Sequence, residues 1–103
     1  MKPIFQTKYK QTVKNDVSQY LQNNITSIVD HETLTESEIK HICGVAESIV
    51  KHRDGFQSGN SFVMCVMNND LRGVINYSDK LLLRALKFFI LVKLWVHPIY
   101  NQI

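Results

Sequence analysis

Two cysteines, two prolines and four glycines among 103 residues leave little room for several kinds of protein. So few cysteines exclude a disulfide-stapled secreted scaffold, and so few prolines and glycines exclude collagen-like repeats and a linker-rich chain. Hydrophobic residues make up 45% and charged residues 20%, a balance that buries a core without staples and argues against disorder. At this length residues 1–103 form a single domain. No secretory leader is expected either, because Pro3 and polar neighbours stand where a continuous apolar stretch would be needed. Cys43 and Cys65 each sit among apolar residues, as buried free thiols do in a reducing compartment, so an intracellular protein is expected.

Charge of one sign is also sparse. Net charge is +3: residues 1–14 carry Lys2, Lys8, Lys10 and Lys14 with no acid, whereas residues 15–40 hold Asp16, Asp30, Glu32, Glu36 and Glu38 against Lys40 alone. Such asymmetry suits weak attraction to anions and head-to-tail self-association. A duplex binder gathers its cations into a denser stripe, so nucleic acid is not the expected partner. His31, His41, His52 and His97 have no ligand-spaced companions, and His41 and Cys43, two apart on a helix, point to different faces. No nucleophile stands beside a base and an orienting group in a recognisable order. Neither an enzyme, a metal nor a cofactor is expected.

What the chain does have is helical periodicity. Residues 1–10 lack it, and Pro3 followed by alternating Ile4, Phe5, Thr7 and Tyr9 predicts a short extended arm. From about Gln11, apolar residues at Val13, Val17, Tyr20, Leu21, Ile25 and Ile28 mark one face of a first helix. Residues 30–34 interrupt it. Thr35 and Glu38 then form a capping box, in which hydroxyl and carboxylate satisfy amides that a first turn leaves unpaired. The second helix begins there and turns Ile39, Ile42, Cys43, Ala46, Ile49 and Val50 inward. Residues 53–60 break all periodicity. A third helix enters through Asn60 or Ser61 and runs on past Asn69 and Asp70, with Phe62, Val63, Val66, Met67, Leu71 and Val74 inside. Ser78 or Asp79 caps a fourth, which stops ahead of Pro98 because proline disfavours helix at the preceding residue. The expected fold is all-α: a compact bundle of about four helices with an extended N-terminal arm.

Residues 81–96 are apolar at 13 of 16 positions. At about 1.5 Å per residue they reach about 24 Å, short of a hydrocarbon core of about 30 Å, and Arg84, Lys87 and Lys93 interrupt the run. A membrane span is therefore rejected. A helix apolar almost all round must instead be buried almost all round. Either the rest of the chain wraps it or a second subunit covers part of it. The second option predicts a homo-oligomer, with Leu82, Phe88, Phe89, Trp95 and Tyr100 as interface anchors.

Two polar groups qualify as ligand-binding candidates. Arg53, Ser58, Gly59, Asn60 and Ser61 form a loop ahead of a helix, where free amides, hydroxyls and an exposed guanidinium would seat a phosphate-bearing anion. The spacing is not that of a P-loop, and ordinary turn chemistry explains the same residues. Asn69 and Asp70 are poor helix formers placed mid-helix, which calls for a reason. One is pairing with Arg84, Lys87 or a capping amide, and the other is hydrogen bonding to a ligand or partner at a subunit seam.

The spacing of Gly59, Ser61 and Phe62, then Asn69, Asp70 and Leu71, then Ser78 and Asp79 resembles a family of small, uncharacterised accessory proteins of tailed bacteriophages. Cys65, Val74 and Ser78 stand where that family has alanine, and its Tyr-Asn-x-x-Pro ending is echoed by Trp95, Val96, His97 and Pro98. The resemblance implies a non-enzymatic accessory protein in the cytoplasm of an infected bacterium, an antagonist of host defence that acts by binding. Two forms are open: sequestration of a small anionic, nucleotide-type ligand, or direct inhibition of a host protein through a surface patch.

Overall fold

The computed structural model describes residues 2–97, with side chains from Lys8 onward. They form an all-α fold in the order α1 (Lys2–Asn23), α2 (Glu36–Arg53), α3 (Ser61–Met67), α4 (Leu71–Tyr77), α5 (Lys80–Arg84) and α6 (Leu86–Trp95). Two short 3-10 turns, Ile25–Ser27 and His31–Thr33, link α1 to α2.

The extended arm expected over residues 1–10 is replaced by helix from Lys2 onward. Pro3 falls in the first turn, where its missing N–H is no loss. Tyr9 is 1% exposed and extends the buried row of Val13, Val17 and Leu21 one turn upstream. The helical period therefore begins earlier than the alternation around Pro3 suggested.

α2 is the central element and packs against α1, α3 and α6, with Ile42, Ala46, Ile49 and Val50 buried. Its start is the expected capping box: Thr35 Oγ1 accepts from the Glu38 amide at 3.1 Å, and Glu38 Oε1 accepts from the Thr35 amide at 2.9 Å. Those hydrogen bonds hold the Glu38 carboxyl below its ordinary pKa, the backbone one first. The first helix ends at Asn23, earlier than Ile28, although Ile28 stays buried after the chain turns.

Both later helices divide. The expected third becomes α3 and α4, separated at Asn69. The expected fourth becomes α5 and α6, separated at Ala85, because the Arg84 carbonyl turns aside to accept the Val29 amide at 3.1 Å. The Arg84 guanidinium grips the same linker, donating to the carbonyls of Val29 (2.9 Å) and Asp30 (2.7 Å) and to Thr33 Oγ1 (3.0 Å). One residue thus breaks its own helix to fasten the segment between α1 and α2.

The core centres on Phe88 and Phe89, each fully buried. Phe89 meets the ring of Phe62 edge-on at 5.7 Å, and Phe88 lies 6.2 Å from Tyr20. Leu82, also buried, belongs to the same core. These three are not interface anchors. The chain itself wraps that side of the apolar helix, and Tyr100 lies outside the described residues.

Candidate functional site

Arg53 ends α2 and is not an exposed loop residue. Its side chain is 15% exposed and every branch is engaged. Nε and Nη2 donate to the Asp54 carboxylate at 3.0 and 3.3 Å, and Nη1 donates to the Lys93 carbonyl at 2.9 Å, the last residue but two of α6. Asp54 also accepts the Tyr9 hydroxyl at 2.7 Å. Tyr9 stacks on Phe56 with ring centres 3.9 Å apart. Burial first, and then the Asp54 carboxylate, push the Tyr9 hydroxyl well above its ordinary pKa.

The rest of the predicted anion seat is occupied by the fold. The Gly59 amide donates to His52 Nδ1 at 2.8 Å, and Asn60 Oδ1 caps α3 by accepting the Val63 amide at 3.0 Å. A Cβ at Gly59 would run into the Val63 side chain, so glycine is there for close approach. Ser58 and Ser61 are exposed beside these contacts, and the Arg53 guanidinium is directed to α6.

Asn69 and Asp70 are punctuation between α3 and α4. Asn69 has φ 58°, the left-handed conformation that asparagine tolerates better than most residues. The Asp70 amide reaches the Cys65 carbonyl at 2.9 Å and the Asn69 amide reaches the Val66 carbonyl at 3.3 Å, which is a Schellman ending. Asp70 then starts α4 by accepting the Gly73 amide on Oδ1 at 3.0 Å. It is exposed, so the buried pairing with Arg84 or Lys87 gives way to the capping role. Lys93 completes the joint: its Nζ donates to the carbonyls of Val66 and Met67 at 3.1 Å and to Asn69 Oδ1 at 3.0 Å. All three ammonium protons have acceptors there. Lys93 therefore links the two predicted ligand groups, Arg53 through its carbonyl and Asn69 through its amine, yet leaves neither free for a ligand.

Both thiols are held toward their protonated form. Burial first, then the Glu47 charge, raises the pKa of Cys43, and burial and then Asp70 raise that of Cys65. Among the described residues no three His, Cys, Asp or Glu side chains converge on a metal position. No helix among them is long and apolar enough to cross a membrane.

A different surface stands out. Leu71 and Ile75, one turn apart on α4, are 70% and 62% exposed, and Ile90 and Leu94, one turn apart on α6, are also exposed. Between the two helices lies a groove of about 330 Å³ floored by Val66, Val74 and Leu86, with Leu71, Ile90 and Leu94 on its walls. Leu83 on α5 and Trp95 at the end of α6 are exposed as well. Of the predicted anchors among the described residues, only Trp95 is exposed. Sequence periodicity placed Leu71 inside, because it carried the phase of α3 across Asn69. Asparagine followed by aspartate is itself a stop and start signal, and resetting the phase there turns Leu71 outward. Comparisons with protein families, curated proteins and solved structures find no match for this chain.

Proposed function

We propose that this chain acts without catalysis, as a stoichiometric binder of another protein, and that the α4/α6 face is its contact surface. The observation that carries the reading is the pair of exposed aliphatic rows, Leu71 with Ile75 and Ile90 with Leu94, flanking one groove. At about 100 Å² per side chain, these four with Leu83 and Trp95 make about 600 Å² of apolar surface, at the upper end of what monomers expose and near the roughly 800 Å² per partner of a standard interface. Water-exposed aliphatic surface of that extent favours association, since burying it on a partner is favourable in proportion to its area.

The competing form, sequestration of a small anion, draws less support. Arg53 would have to abandon the part-buried Asp54 carboxylate to meet a ligand, and Asn69 Oδ1 would have to release one of the three bonds that hold the Lys93 ammonium. The resemblance to phage accessory proteins is consistent with the preferred form: an antagonist of a host protein, working in the cytoplasm of an infected bacterium. Native mass spectrometry of the protein recovered from bacterial cells tests it. The expected spectrum holds the chain with one additional protein in fixed ratio. A small anionic adduct retained on an otherwise unpartnered chain would overturn the reading in favour of ligand sequestration.

A further inference from the structure

Resting on the reading of the α4/α6 face as a protein-binding surface, we infer that its occupant is an amphipathic helix whose apolar positions are flanked by aspartate and glutamate. The groove itself selects the backbone form. A peptide added as a strand needs an open sheet edge, and the described residues contain no strand. A proline-rich segment needs an aromatic-lined groove, and this one is lined by aliphatic side chains, Cys65, Asn69 and Lys93. Two aliphatic rows, each with side chains one turn apart, instead match the i, i+3/i+4 and i+7 anchors of a helix laid in a groove.

Charge selects the polar positions. Arg72, Lys80 and Lys87 are exposed on α4, α5 and α6, and among the described residues none of them has an ion-pair partner. On α6, Lys87, Ile90 and Leu94 follow one another at steps of three and four, and on α5 Lys80 lies three residues before the exposed Leu83, so each helix sets a cation beside its exposed aliphatic side chains. The two carboxylates of this half, Asp70 and Asp79, cap α4 and α5 through the Gly73 and Leu82 amides and keep their charge, and over residues 61–97 the five cations Arg72, Lys80, Arg84, Lys87 and Lys93 exceed them by three. This half therefore joins an apolar groove to an excess of positive charge. A second copy docked by two-fold symmetry would bring the same cations face to face, which repels. An acidic helix balances them.

The test uses two designed helical peptides with identical leucine positions, one with glutamate and one with lysine at every flanking position. Trp95, the sole tryptophan and 65% exposed, reports docking by a blue shift of its emission. The glutamate peptide is expected to bind at least about tenfold more tightly than the lysine peptide at low salt, a margin that shrinks as salt screens those cations. Changing Lys80 and Lys87 together to Glu should reverse the preference, and Leu94→Glu should abolish binding of both peptides while helical circular dichroism is kept. Equal binding of both peptides overturns the acidic partner but leaves the apolar face standing. No binding of either peptide overturns both readings. So does a shift of Trp95 emission with vesicles of anionic lipid alone, or a two-fold dimer that already buries Trp95.

Discussion

Arg53 is the residue whose role depends most on where the helix ends. As a loop side chain it would contribute little to folding, but at the end of α2 it makes two bonds to Asp54 and one to the Lys93 carbonyl, tying α2 to α6. Arg53→Ala is expected to destabilise the fold by about 2–4 kcal/mol, measured by denaturant unfolding, because it leaves the Asp54 charge without its cation. Tyr9 offers a pH signature at the same cluster. Its hydroxyl keeps its proton in the folded chain beyond the usual range, whereas the unfolded chain releases it near pH 10. Above that pH the unfolded state binds fewer protons than the native state, so stability falls as pH rises. Tyr9→Phe should lower stability by about 1–2 kcal/mol at neutral pH and show a gap to wild type that narrows above about pH 10. A gap that stays constant across that range would contradict the raised pKa of Tyr9.

At the scale of elements, the capped starts of α2, α3 and α5 were legible, whereas the start of α1 and the breaks were not. Thr35 with Glu38, Asn60 and Asp79 cap the helices as local chemistry requires, since a cap needs only a side chain and amides three residues on. The break at Ala85 depends on Arg84 meeting Val29, 55 residues away, a contact that periodicity does not encode. Asn69 lies between these cases: its left-handed turn was readable from composition, but its clasp by Lys93 from α6 was not. Lys93→Met is expected to cost about 1–3 kcal/mol by removing the ammonium that bonds the Val66 and Met67 carbonyls and Asn69, and amide exchange should rise first in α3. Gly44 makes the opposite case. It lies inside α2 with open space where a Cβ would go, so Gly44→Ala should stabilise the protein by about 0.5–1 kcal/mol, read as a higher denaturation midpoint.

For the whole molecule, the sequence showed that residues 81–96 are apolar almost all round and left open whether the rest of the chain or a second subunit covers them. It could not show which side stays open. Phe88 and Phe89 face inward because α1, α2 and α3 pack on them, and Ile90, Leu94 and Trp95 are left to solvent by the same rotation. The candidate site was correspondingly hard to read. Arg53, Gly59, Asn60, Asn69 and Asp70 hold the fold together, and the proposed contact surface lies on exposed aliphatic residues, of which Leu71 and Ile75 owe their exposure to the phase break at Asn69. The most direct measurement of that surface is the affinity of a folded Leu71→Glu, Leu94→Glu double variant for the protein that copurifies with wild type, with melting followed on the same sample. The expected result is a loss of about a hundredfold or more in affinity with a melting temperature within a few degrees of wild type, as for two exposed anchors at the centre of an interface. Retained affinity, or a collapse of the melting temperature, would contradict the assignment of this face to a partner.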